Sequence, residues 1–291
     1  MTTDIFDGKY RRRVGELSDN SAEKFLKNSP EAKLGLRTLP ERRRSKLSNG
    51  EIHPGVKDIS VRLLDYPDKD RFGENLARLI EGTTGVDPDR RFSEEEIKKV
   101  WDELSHVFSP NLIMEHAALE FEISGSTRIN THQLVRTRLG AYMQQESRTC
   151  YLGNEFNVRM PLAYLGADKH DLQEEFKEIV ERLRAFYQES AERGIPLEDA
   201  RYLAPIGIET FIIARYPLNA WLATYARRAC PLMQWEICWI FRQMKGLLEG
   251  VWPQLAQFAK IHCEFSHKCH RVVAEGHKPK ELCEFEWAGE F

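Results

Sequence analysis

No stretch of this chain restricts its fold more than residues 171–193, where Leu172, Phe176, Ile179, Val180, Leu183 and Phe186 recur at helical spacing along one stripe. Gly194 can take the left-handed conformation that closes a helix, and Pro196 cannot continue one. A long amphipathic helix needs a partner surface, which the rest of the chain must supply. Asp58 to Leu64 alternates as a strand does, and after Pro67 the residues Phe72, Leu76, Leu79 and Ile80 share a helical face. Beyond a turn at Gly82 to Asp87, Ser93-Glu94-Glu95-Glu96 has the form of a capping box opening a helix toward Val107. Ala117 to Ile123 predicts a strand broken by Ser124-Gly125-Ser126, and from Asn130 the residues Leu134, Leu139 and Tyr142 fall at helical spacing. Further helices are expected at Leu197 to Leu203, Ile206 to Arg228 with an interruption near Pro217, and Met233 to Leu248. The fold class is therefore α+β, with a small sheet and a helix-rich second half.

The 291 residues are 42% hydrophobic and 30% charged, enough for a sizeable core, and the formal charge of −3 gives no general field for a nucleic-acid polymer. Any phosphate site must be local. The longest apolar run, around Ile206 to Ile213, is far shorter than the roughly 20 residues that span a bilayer, and the N-terminus is polar. A cytoplasmic protein without a membrane partner is expected. Cys150, Cys230, Cys238, Cys263, Cys269 and Cys283 form no paired framework and read as reduced thiols. Three segments are expected: an N-terminal extension over 1–56 carrying the basic triplets Arg11 to Arg13 and Arg42 to Arg44, a main domain over 57–255, and a Cys/His-containing tail over 256–291. The extension reads as a partly ordered arm, or as one that packs on a neighbouring subunit or meets an anion.

Chemistry concentrates between Gln133 and Arg148, where Arg136, Arg138 and Arg148 lie within one short run. Guanidinium forks suit phosphate oxygens, and a glutamine amide can both donate to and accept from a uracil edge. Were Gln133 to Arg138 helical, Gln133 and Arg136 would share a face and Arg138 would point elsewhere, leaving room for two ligands. Arg201, ahead of the Ala204-Pro205 turn, and Arg227-Arg228, ahead of Gln234-Trp235-Glu236-Ile237, extend the set.

The run Gln133 to Arg148 resembles the signature of the flavin-dependent thymidylate synthases, in the frame set by Gln133, Arg136, Arg138 and Arg148. Ala200, Arg201 and Pro205 are similar to the family's ARxxLP segment, and Arg228 with Gln234-Trp235-Glu236-Ile237 to its LRxxxxAQWEI segment. Val61 to Asp68 resembles its opening strand and turn, and Ser109-Pro110 with Glu115-His116 its TPFEH element, so the likeness covers about residues 58–250. The resemblance implies a flavin-dependent thymidylate synthase-like fold, a homotetramer with active sites at subunit junctions, and FAD as cofactor. It implies transfer of a one-carbon unit from methylenetetrahydrofolate to C5 of dUMP or UMP, with NADPH as hydride source and no cysteine nucleophile. By the same resemblance Gln133, Arg136, Arg148, Arg201 and Arg228 hold the uracil nucleotide. Arg136, Thr137, Arg138, Gln144, Ser109 and Asn219 meet the flavin, and Arg148 and Glu146 are the catalytic pair.

The signature is altered in between. Thr137 stands for the central histidine, Met143 for asparagine, Gln144 for glutamate, Glu146 for serine and Thr149 for tyrosine. A one-residue shift would restore Glu146-Ser147 as a pair but lose Arg148. Gln144 cannot ionise, so a charge role at that place falls to Glu146 or to nothing. These changes favour an altered substrate or reaction, such as uracil ribonucleotide methylation or another modification of a nucleotide-like metabolite in natural-product biosynthesis. A non-catalytic nucleotide- or metal-binding protein is the further alternative. Cys263, His267 and His270 are spaced for one helical face, but the Cys263 to Cys269 spacing is not a usual zinc spacing, and no metal is expected. Trp221, Trp235, Trp239 and Trp252 read as core or interface residues rather than a stacking platform.

Overall fold

A computed structural model describes residues 50–81, 90–106, 114–147, 152 and 156–266. They divide into two compact units, a larger one from 52–145, 157–174 and 206–266 and a smaller one from 50–51, 146–156 and 175–205.

The larger unit is built on a four-stranded antiparallel sheet in the order β2-β3-β6-β4: β2 Ser60–Asp65, β3 Ala118–Thr127, β6 Glu209–Pro217 and β4 Ala141–Gln144. A second sheet pairs β1 Ile52–Pro54 in parallel with β5 Val158–Met160. Alternation along β3 and β6 sends Leu119, Phe121, Ile123, Ile212, Ala214 and Tyr216 into the core. Helices α1 Lys69–Glu81, α2 Glu94–His106, α6 Leu218–Arg228, α7 Trp235–Val251 and α8 Pro253–Ala256 supply the rest of it. Trp252 meets Phe72 and Trp101 edge-on at 5.3 and 5.8 Å, and Trp221 stacks on Phe121 at 6.2 Å, so both tryptophans are core residues as expected. Fully burying each such side chain contributes roughly 2–3 kcal/mol. The capping box is present: Ser93 N–H donates to Glu96 at 2.8 Å and Glu96 N–H to Ser93 Oγ at 3.3 Å. The expected turn at Gly82 to Asp87 lies outside the described residues.

In the larger unit three expectations are corrected. The strand expected to stop at Ile123 runs to Thr127, because Gly125 takes φ +78° at a bulge between Ser124 and Ser126 and lets pairing resume. A side chain there would put its Cβ 2.9 Å from the Asp58 carbonyl. The apolar run expected to open a helix at Ile206 is instead the central strand β6, and the helix begins only after Pro217. Phe211 and Ile213, half-buried on the face opposite the core, are apolar as well, so the run shows little alternation to separate strand from helix, but its pair of isoleucines favours the strand. The helical spacing from Asn130 to Tyr142 is not a helix either. Helix α3, Arg128–Leu134, ends at once, Leu139 sits in a turn, and Tyr142 is on β4. The Tyr142 hydroxyl reaches back to the carbonyls of Leu134 and Thr137, both at 2.9 Å, which also accept from the Thr137 and Gly140 N–H groups of the turns that follow the helix.

Beneath the bulge lies a buried ion pair. Arg159 on β5 donates to the carbonyls of Gly55, Lys57 and Gly125 and to Glu209 Oε1 at 2.6 Å, while His53 Nδ1 lies 2.8 Å from the same oxygen. Burial pushes the Arg159 pKa down, against the neighbouring charges of Glu209, Glu236 and Asp58.

Helix α4, His170–Glu192, provides from residue 175 onward most of the helix of the smaller unit. It ends as expected: Ile195 N–H bonds the Ser190 carbonyl and Gly194 N–H that of Ala191, with Gly194 at φ +84°. Its buried face differs from the expected stripe. Val180, Arg184, Tyr187, Ser190 and Ala191 are buried, whereas Leu172, Ile179 and Phe186 are 44%, 41% and 50% exposed. The face is displaced because Arg184 turns inward to the Phe156 and Glu51 carbonyls, with Tyr187 edge-on to Phe156. The expected helix over Leu197 to Leu203 is one short turn, α5 Leu197–Ala200, followed by 3-10 geometry over Arg201–Leu203.

Candidate nucleotide site

Helix α3 starts where β3 ends. Thr127 caps it, its hydroxyl oxygen accepting from Asn130 N–H at 3.3 Å, and two turns later it presents Gln133. Arg228, the last residue of α6, arrives at the same place: Nη1 donates to Gln133 Oε1 at 3.1 Å and Nη2 to the Gln133 carbonyl at 3.4 Å. A guanidinium only donates, so it sets the glutamine amide with its oxygen toward Arg228. The amide nitrogen is left pointing away as a donor. A cation at the C-terminal end of α3 is also favoured by the helix dipole.

Arg136 and Arg138 follow in the turns beyond the cap at Val135, so the expected helical relation between Gln133 and Arg136 does not hold. Both arginines are exposed, and neither forms a hydrogen bond or ion pair with a described residue. Thr137 between them is turned inward, 3.3 Å from Thr224 Oγ1. Thr224 donates its own hydroxyl hydrogen to the Ala220 carbonyl at 2.7 Å, so Thr137 is the donor of the pair. Gln144, on β4, donates to Thr131 Oγ1 at 2.9 Å, and Asn219, in the first turn of α6, donates to Glu115 at 3.0 Å. Of the expected residues, the larger unit thus brings Gln133 and Arg228 into contact and leaves Arg136 and Arg138 open.

The smaller unit holds Glu146, which is exposed, and Arg201. The Arg201 guanidinium donates to the Glu198 carbonyl at 3.3 Å and to the buried Ser147 hydroxyl at 2.9 Å. Arg148 and Ser109 lie outside the described residues. So do His267, Cys269 and His270; among the described residues no group of three metal-ligating side chains occurs. No helix among the described residues is long and apolar enough to cross a membrane.

Sequence reasoning assigned no role to Ser147, Thr127 or Glu236. Glu236 lies in the first turn of α7, fully buried, and accepts from Thr127 N–H at 2.5 Å and Thr127 Oγ1 at 2.7 Å. Burial pushes its pKa up; the Thr127 hydrogen bonds, Arg159 and Gln234 pull the other way. Its place in Gln234-Trp235-Glu236-Ile237 was the available signal, but no periodicity shows which partner a buried acid will find.

The profile of the family described as thymidylate synthase complementing protein matches residues 62–254. The chain is 31% identical over 206 residues to the flavin-dependent thymidylate synthase of Pyrococcus furiosus, covering 69% of this chain and 80% of that one. It is 28% identical over 208 residues to the enzyme of that name from Geobacter sulfurreducens, covering 70% and 88%. Among solved structures it is similar to the UMP/dUMP methylase PolB of Streptomyces cacaoi bound with 5-Br dUMP, with a TM-score of 0.59 and 19% identity over 71% of this chain and 96% of that one. The same methylase bound with 5-Br UMP gives 0.58, with 18% identity over 72% and 99%.

Proposed function

The chain belongs to the family of thymidylate synthase complementing proteins, the flavin-dependent thymidylate synthases, and on that premise we propose that it methylates C5 of a uracil nucleotide, dUMP or UMP. The observation that carries the reading is the contact of Arg228 with Gln133, next to two arginines with no partner among the described residues. With its oxygen held by Arg228, the Gln133 amide offers a hydrogen to a uracil carbonyl, and a fixed donor there stabilises charge that develops as the ring is activated. Arg228 adds positive charge behind that donor. Arg148 and Arg201 complete the nucleotide set in this proposal, and Arg148 with Glu146 the catalytic one.

The open guanidinium groups of Arg136 and Arg138 fit the diphosphate of FAD, since neither has a described carboxylate partner to release. Gln144, Asn219 and Ser109 belong to the same proposed cofactor set, with Thr137 oriented by Thr224. FAD, when bound, supplies the redox capacity that makes a transferred one-carbon unit a methyl group. Methylenetetrahydrofolate as donor, NADPH as hydride source and a cytoplasmic homotetramer are part of the proposal. Incubating purified protein with FAD, NADPH, labelled methylenetetrahydrofolate and either nucleotide should give a labelled 5-methyl product. A colourless protein that takes up no FAD overturns the reading.

Two observations favour a second reading, in which the same scaffold modifies a nucleotide differently. The Thr137 hydroxyl hydrogen is committed to Thr224, and Gln144 is a neutral group held by Thr131. Mass spectrometry of the product decides, since a mass gain other than that of one methyl selects the second reading.

A further inference from the structure

Glu236 is a fully buried carboxylate held at both oxygens by one residue, and that residue caps the helix that presents Gln133. Removing a carboxylate from water is costly unless its oxygens are well satisfied. Here one oxygen goes to the Thr127 N–H and the other to its hydroxyl, while the Thr127 oxygen also accepts from Asn130 N–H. Three bonds therefore converge on the residue that opens a two-turn rod. Gln133 lies six residues along it, about 9 Å at helical rise.

The other half of the pair is tied to the same helix as Glu236. Arg228 is followed by Ala229, whose carbonyl accepts from Arg242 Nε at 3.3 Å and from Cys238 Sγ at 3.4 Å. Cys238 and Arg242 are both on α7, and Gln234 caps α7 by accepting from Ile237 N–H at 3.1 Å. Helix α7 thus grips α3 at its start through Glu236 and the end of α6 through Ala229. The distance between Gln133 and Arg228 is set by those two grips.

We propose that Glu236 is a positioning residue of the nucleotide site, fixing through Thr127 where α3 presents Gln133 to Arg228. The inference rests on the nucleotide reading above but makes its own structural claim. An acid at this place has a use beyond that of a neutral cap. It accepts twice from one residue without needing a donor of its own, so Thr127 is held in orientation as well as in distance.

The test compares Thr127→Val, which removes the hydroxyl, with Thr127→Ser, which keeps it, alongside Glu236→Ala. Calorimetric titration with dUMP and with UMP should show at least a tenfold loss of affinity in Thr127→Val and Glu236→Ala, and a return to within twofold of the parent in Thr127→Ser. In a Gln133→Ala background, Glu236→Ala should add less than twofold, because its effect passes through Gln133. Parental affinity in folded variants, or an equal loss in the Gln133→Ala background, overturns the inference. If Glu236→Ala does not fold, the contrast between the valine and serine variants decides the question alone. A crystal structure of Thr127→Val without nucleotide should show the Arg228 contact to Gln133 lost. That contact kept at parental distance overturns the positioning claim whichever nucleotide the protein binds, whereas a parent that binds neither nucleotide overturns only the functional reading.

Discussion

Arg159 and Arg228 carry the same side chain in the same unit and are held in different ways. Arg159 is buried against three carbonyls and a carboxylate, so its charge is matched within the fold. Arg228 donates to two oxygens of one neutral residue, and Arg136 and Arg138, nearby in sequence to that residue, meet none of the described residues. An arginine satisfied internally stabilises a structure. Arginines with no hydrogen-bond or ion-pair partner among the described residues, as Arg136 and Arg138 are, keep a field for an anion from outside. In the proposed reading that difference separates scaffold from site, which no count of arginines does.

The largest effect is expected at Arg159. Arg159→Met leaves Glu209 buried without its cation and three carbonyls without donors, and removing one partner of a buried pair costs about 3–5 kcal/mol. Urea unfolding should show a loss of that size; a loss below about 1 kcal/mol would mean that the pair does not hold the fold together. Arg228→Ala should act on binding instead. A hydrogen bond to a charged group contributes about 1.5–3 kcal/mol, so nucleotide affinity should fall tenfold or more while the urea midpoint moves little. A large stability loss without an affinity change would erase the distinction between the two arginines. Arg136→Ala and Arg138→Ala come next: each should weaken FAD binding several-fold at low salt, and less at high salt, where a phosphate contact is screened. Their effect on stability should stay within about 0.5 kcal/mol, as for other exposed positions.

The same contrast explains what was legible in the sequence. Helix α4, the Ser93 to Glu96 capping box and the strand β2 follow from local pattern and punctuation, because neighbours in sequence decide them. The expectation at Asn130 to Tyr142 failed because Tyr142 obtains its apparent helical register by reaching back from β4 to the end of α3. At Ile206 to Pro217 the apolar Phe211 and Ile213, on the face opposite the core, hid the period of the strand. For the site, the sequence singles out Gln133 and Arg228, and the structure brings the two into contact. Glu236, Thr127 and Ser147 stayed unassigned because their partners lie 109 and 54 residues away along the chain. Distance in sequence is what pattern cannot see.

The smallest effect sets two acids at helix starts against each other, Glu96 on the surface and Glu236 inside. The Ser93 backbone hydrogen bond holds the Glu96 pKa below its ordinary 4.5, and Arg90 adds to this. Its contribution is therefore present above that value and fades as pH falls through the lowered one. Burial raises the Glu236 pKa above 4.5, so its contribution runs in the opposite sense. It is complete below the unfolded value and declines as pH rises through the folded one. Glu96→Gln should thus unfold more easily than the parent at neutral pH and approach it in acid. Glu236→Gln, whatever its offset from lost bonding to Thr127, should gain on the parent as pH rises from below 4.5. Parallel unfolding curves for the two variants across that window would show that Glu236 is solvated in solution, and would remove the reason for treating it as a fixed clasp rather than another surface cap.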